Sequence, residues 1–159
     1  MLTDVLAALA RGRNCLVLTQ WTAHVSVLAD LLRAVGHDPV VLQGGTGVGQ
    51  RRGALERLRP NDAPLLVVAT GPYIGEGFDC PALDTLFLAA SIAFKGRLVQ
   101  YVGRVLRPAP GKHVVEVHDY HHIRTGVLAS SLRKRAPDYR SLGFPDPSTT
   151  RHHPPPFSG

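Results

Sequence analysis

A chain of 159 residues with mean hydropathy +0.01 fits one soluble globular domain, long enough to bury a core. No apolar run approaches the about 20 residues needed to span a bilayer, and two cysteines exclude a disulfide framework, so a cytoplasmic, reducing setting is expected. The net charge of +6 is uneven: residues 95–140 hold ten Lys/Arg against Glu116, Asp119 and Asp138, which suits a polyanion such as nucleic acid or nucleotide phosphates.

Predicted elements alternate along the chain. "MLTDVLAALARGRN" lacks the basic start of a signal peptide and reads as a short amphipathic helix. "CLVLTQ" (15–20) is aliphatic enough for a buried strand. Residues 22–35 place Val25, Leu28, Ala29, Leu32 and Val35 at helical spacing, with Gly36 as the stop. "PVVLQ" (39–43) predicts a second strand, and 49–59 a second helix with Leu55 and Leu58 inward. "PLLVVAT" (64–70) and "DTLFLAA" (84–90) follow as strands. A helix over 97–107 ends at Pro108, "KHVVEVHDY" (112–120) alternates as a fifth strand, and 122–135 form a last helix. Strands separated by helices predict an α/β domain with a mainly parallel sheet. Ligands of such sheets gather beyond the strand C-termini, where residues 20–22, 44–50 and 70–79 are glycine-rich or polar. From Gly143 onward the proline-rich "GFPDPSTTRHHPPPFSG" predicts a disordered tail, so the domain is expected over 1–142 and the tail over 143–159. No internal repeat is present.

The loop "LQGGTGVGQRR" (42–52) raises the possibility of a phosphate-binding P-loop. The spacing from Gly44 to Gly49 fits, but Gln50 and Arg51 stand where that motif needs Lys and Ser/Thr. Without the lysine for the terminal phosphates and the hydroxyl for Mg²⁺, the P-loop reading fails.

The segment "GRLVQYVGRVLRP" (96–108) carries more chemistry. On a helix, Leu98, Val102 and Val105 share one face, while Gln100, Arg104 and Arg107 share the opposite one at i, i+4 and i+7. Two guanidiniums on one face suit phosphate recognition, each offering a planar fork of donors. Gly103 borders that polar arc, where a missing side chain lets a partner approach.

"QYVGRVLRP" resembles motif VI of superfamily 2 helicases, Q-x-x-G-R-x-x-R. Upstream, "CLVLTQ" resembles motif IV, "LQGGTGVGQRR" the glycine–arginine loop that follows it, and "VVATGPYIGEGFDCPALDTLFLA" (67–89) motif V. The resemblance spans roughly residues 14–120 in collinear order. It implies a RecA-like three-layer α/β sandwich, the second of the two lobes of such a motor. That lobe closes over ATP, whose Mg²⁺ is held by a first lobe supplied in cis or in trans, and no membrane partner is implied.

The resemblance also implies roles. Arg104 and Arg107 match the arginine fingers that reach the ATP phosphates, and Gln100 the glutamine that bonds the γ-phosphate or its attacking water. Gly77 and Asp79 match the G-x-D of motif V, beside the nucleotide. Thr70 matches a hydroxyl on the nucleic-acid backbone, and Gly44, Gly45 and Arg51 match the loop and helix start that grip a backbone phosphate. The spacing from Thr70 to Gly77 is one residue longer than in DEAD-box proteins, and Gly71 replaces their aspartate. On that basis DNA is expected as partner ahead of RNA.

Other readings exist. "GEGFDCPAL" (75–83) resembles the E-G-F-G-x-P loop of nucleotide-sugar glycosyltransferases, but Asp79 replaces its glycine, and the Gln100/Arg104/Arg107 face has no task there. "VHDYHH" (117–122) suggests metal ligands, yet strand alternation separates His118 from the 119/121 pair, and polar packing at a strand end explains it better. An ATPase-inactive lobe kept for interaction is a third reading.

Overall fold

Four short apolar runs and one polar edge strand pair side by side and place everything else. The computed structural model describes residues 1–59, 62–75, 78–89, 103, 112 and 115–120. They belong to one structural unit, Met1–Tyr120; residues 121–159, including the expected last helix and tail, lie outside the described residues. In chain order the elements are α1 (Leu2–Ala10), β1 (Cys15–Thr19), α2 (Thr22–Ala34), β2 (Val40–Leu42), α3 (Val48–Glu56), β3 (Leu66–Thr70), α4 (Gly71–Gly75), β4 (Thr85–Leu88) and β5 (Glu116–Asp119).

The sheet order is β2-β3-β1-β4-β5 and every pairing is parallel. Parallel strands need crossovers and are covered on both faces, which is why β1, β3 and β4 read as continuous apolar runs. On one face Cys15, Val17, Leu66, Val68 and Phe87 form a core with Val5, Ala8 and Leu9 of α1 and Val25 and Leu32 of α2. Strand alternation sends Leu16, Leu18, Val67, Ala69, Leu86 and Leu88 to the other face, and these are also fully buried. α3 packs on β2 and α4 on β3. The result is the mainly parallel, three-layer α/β sheet expected from the sequence.

Local chemistry sets the element ends. α2 stops where expected: Gly36 takes φ +89°, a left-handed conformation that favours glycine, and the His37 amide returns to the Leu32 carbonyl at 3.0 Å. Asn14 fixes the N-terminal edge of the sheet. Its side chain donates to the Ala82 carbonyl at 2.9 Å and accepts from the Leu65 amide at 2.8 Å. Its own carbonyl accepts from the amides of Asp84 and Thr85 at 3.1 and 3.0 Å.

The structure departs from the sequence reading in two places. α4, a five-residue turn directly after β3, was not expected. α3 buries no residue at all, and Leu55, expected inward, is 42% exposed, with Val48 at 79%. Leu58, the other residue expected inward, is partly covered, as is Ala54. The expected pair was Leu55 and Leu58, but α3 ends at Glu56, so Leu58 lies beyond it and the pair does not fix which side of the helix faces the sheet. Among the described residues, no helix is long and apolar enough to cross a membrane.

Candidate nucleic-acid interface

The parallel arrangement brings the ends of β2, β3, β1 and β4 to one edge, and the loops there carry the described candidate residues. Past β2, Gly44 and Gly45 make a turn in which Gly45 adopts φ +80°. A side chain at Gly44 would meet nothing within 4 Å, so the backbone there stays open to an incoming group. The Thr46 hydroxyl donates to the Gln43 carbonyl at 3.0 Å and holds the turn closed. Gly47 then caps α3 in an extended conformation, without a side-chain bond to the first-turn amides. Unpaired amides and the positive end of the helix favour an anion at such a place.

Thr70 ends β3 and pairs in register with Thr19 of β1. It is only 4% exposed. The chain then turns through α4, where Tyr73 is nearly buried at 7%. The Arg51 guanidinium sits over that ring, 5.2 Å from its centroid. This contact joins the Gly44–Arg51 segment to the segment that begins at Thr70. Asp79, beyond residues 76–77, is exposed; burial first, and the Asp79 charge to a lesser degree, push the thiol of neighbouring Cys80 up.

Gly77, Gln100, Arg104 and Arg107 lie outside the described residues. Gly103, between the predicted positions Gln100 and Arg104, is helical and exposed, and a side chain there would meet nothing within 4 Å. His118 and Asp119, from the possible metal cluster, belong to β5. His118 stacks on Phe87, centroids 4.6 Å apart, and its Nε2 lies 3.1 Å from the Glu116 carboxylate. His121 and His122 lie outside the described residues; among the described ones no group of three metal-ligating side chains forms.

Comparison with known proteins decides the class. The profile of the family described as "Helicase conserved C-terminal domain" matches residues 1–109. The chain belongs to that family. It is the C-terminal, RecA-like lobe of a superfamily 2 helicase, a family that uses ATP. Similar proteins include the ATP-dependent rRNA helicase RRP3 of Ajellomyces capsulatus (strain NAm1 / WU24), 25% identical over 130 residues, which cover 81% of this chain and 26% of that protein. RRP3 of Candida albicans (strain SC5314 / ATCC MYA-2876) is 28% identical over 127 residues, 79% of this chain and 23% of that one. The helicase lobe thus spans about a quarter of the length of these relatives. Among solved structures, the C-terminal part of the Fun30 ATPase domain superposes with a TM-score of 0.72 at 13% identity, covering 83% of this chain and 43% of that one, a likeness of fold.

One expectation is overturned by these relatives. DNA ahead of RNA was read from the extra residue between Thr70 and Gly77 and from Gly71 in place of an aspartate, whereas the two relatives above are rRNA helicases. The physical reason lies in α4. A one-residue difference in the connection after a strand alters a local turn such as α4 and carries no information about the sugar of the bound strand.

Proposed function

We propose that this lobe is the second motor half of an ATP-dependent RNA helicase, gripping the RNA backbone and supplying arginine fingers to ATP seated on a first lobe. The observation that carries the RNA-facing half is the Arg51–Tyr73 contact. It holds the open Gly44–Gly45 turn and the segment after Thr70 together at the C-terminal edge of the sheet. Backbone phosphates are the fitting ligand, because glycine turns, helix amides and a guanidinium recognise charge rather than base identity. The ATP-facing half rests on the motif VI pattern of Gln100, Arg104 and Arg107, with Gly77 and Asp79 beside the nucleotide and Thr70 on the RNA side. Arg104 and Arg107 would neutralise charge that develops on the transferred phosphoryl group, and Gln100 would orient the attacking water. Mg²⁺ belongs to the first lobe in this scheme. The domain is assigned to residues 1–142 with a proline-rich tail over 143–159. Unpaired, buried Cys15 and Cys80 support a cytoplasmic setting.

The experiment is a paired measurement of melting and RNA-stimulated ATP hydrolysis, with a first lobe present in cis or in trans. Arg104→Ala and Arg107→Ala should each lower turnover by about 10²-fold or more and leave the melting temperature nearly unchanged. The 159-residue chain by itself, lacking a P-loop lysine, should show no turnover above background. An Arg104→Ala variant that keeps full ATPase, or that no longer folds, would make the arginines structural and remove the finger assignment.

A further inference from the structure

Trp21, the sole tryptophan of the chain, stands 53% exposed two residues beyond the end of β1. An indole is a large apolar surface to leave in water, so its position calls for a cause. The ring is held in place. His24 meets it edge-on, centroids 5.1 Å apart and planes 86° to each other, and His24 Nδ1 lies 3.3 Å from the hydroxyl of buried Thr19. The side chain has no duty in starting α2. The Trp21 carbonyl accepts from the amides of His24 and Val25 at 3.1 and 3.2 Å, a backbone task any residue performs. The helix anchors itself through Val25, Ala29 and Leu32.

Register places this indole at the edge already described. β1 lies beside β3 with Thr19 opposite Thr70, so Trp21 follows one strand end while α4 follows its neighbour. The other aromatic at that place, Tyr73, is nearly buried beneath the Arg51 guanidinium. Among the described residues, Trp21 is the aromatic that keeps a large open surface.

We propose that the Trp21 indole is a stacking platform for an unpaired nucleobase of the bound RNA strand. The proposal rests on the RNA reading above and adds a base contact to a grip otherwise made to phosphates. Every base has a π-face, so the contact orders the strand without selecting a sequence. A free mononucleotide offers the same chemistry, and the test separates the two.

Because Trp21 is the only tryptophan, intrinsic indole fluorescence of the unmodified chain reports on this residue alone. Oligouridylate should quench it, whereas inorganic polyphosphate, which has the charge without the bases, and ATP at the same concentration should not. Anisotropy of labelled oligouridylate then measures affinity directly. Trp21→Ala should weaken binding by about 5- to 100-fold, and Trp21→Phe, which retains a ring, by less than about threefold. If the RNA binds by anisotropy but leaves the fluorescence unchanged, the platform is wrong and the RNA reading stands. If no RNA binds, both fall together. Quenching by ATP and not by oligouridylate would overturn the strand assignment in favour of a mononucleotide. Should Trp21→Ala lose its cooperative melt, the wild-type quenching and the Trp21→Phe affinity decide instead.

Discussion

The Arg51 guanidinium lies 5.2 Å from the centre of the Tyr73 ring, joining the start of α3 to the turn after β3. A guanidinium over a ring uses its charge there and has five N–H donors to offer, so one residue can bind the ring and a phosphate together. Arg51→Ala should lower stability by about 0.5–1 kcal/mol through loss of the cation–π contact. It should also reduce the salt dependence of RNA binding by about one unit of slope. Arg51→Lys should keep most of that slope, since a point charge still neutralises a phosphate. The check is a salt titration of RNA affinity for the three proteins; identical slopes would show that Arg51 has no phosphate partner.

The two sides of the sheet differ sharply from α3 in what they bury. Phe87 is fully buried against the α1–α2 core, and Phe87→Ala should lower unfolding free energy by about 3–5 kcal/mol. Leu55→Ala and Val48→Ala, on the exposed side of α3, should each stay within about 0.5 kcal/mol of wild type. Urea titrations of all three give the comparison directly. A large loss at Leu55 would mean that α3 faces the sheet by its other side.

Glu116, on the edge strand β5, meets Arg11, Arg13 and His118. Arg11 donates to both of its carboxylate oxygens at 3.2 Å, His118 lies at 3.1 Å and Arg13 at 3.8 Å. Burial pushes its pKa up, but the hydrogen bonds from His118 and Arg11 and the nearby charges outweigh that, and the net direction is below the ordinary 4.5. A depressed carboxyl contributes stability that is present above its unfolded pKa and is lost as pH falls through the folded one. Wild type should therefore lose stability below about pH 4.5 more steeply than Glu116→Gln. At neutral pH the variant should be weaker by no more than about 1 kcal/mol, since Arg11 is well exposed. Parallel acid limbs in the two proteins would contradict the assignment.

Cys15 sits in the core, where burial first, and then the Asp84 charge, push its thiol up to about 12 from 9.0. The unfolded chain releases this proton near pH 9, while the folded one holds it, so this contribution to stability falls between those two values. Denaturation at pH 8 and pH 10.5 should show a drop that shrinks in Cys15→Ala. A thiol reagent at pH 8 should modify neither Cys15 nor Cys80 until the protein unfolds.

Much of the fold was legible because parallel strands buried on both faces are continuous apolar runs, as at Cys15–Thr19 and Leu66–Thr70. α4 escaped notice because Gly71, Pro72 and Gly75 read as a loop and five residues show no periodicity. The Asn14 node was equally invisible. Its partners Leu65, Ala82 and Asp84 are 51, 68 and 70 residues away, and nothing local marks an asparagine as a bridge. At the candidate interface, the glycines and Arg51 stood out by composition. The pairing of Arg51 with Tyr73 did not, because it joins two separate turns through a crossover.

The contacts that close the unit join its first helix to its last strand. Asp4 accepts from the Tyr120 hydroxyl across 116 positions, and Arg11 reaches Glu116 across 105. A chain emerging from a ribosome can pair β1 with β3 well before either contact exists, because those strands are about half as far apart in sequence. Until the last strand arrives, β4 keeps an open edge of unpaired amides and carbonyls, and Asp4 and Arg11 wait without their partners. Synthesis halted between Leu88 and Glu116 therefore leaves a nascent species with a sticky border, one that chaperone binding would have to shield.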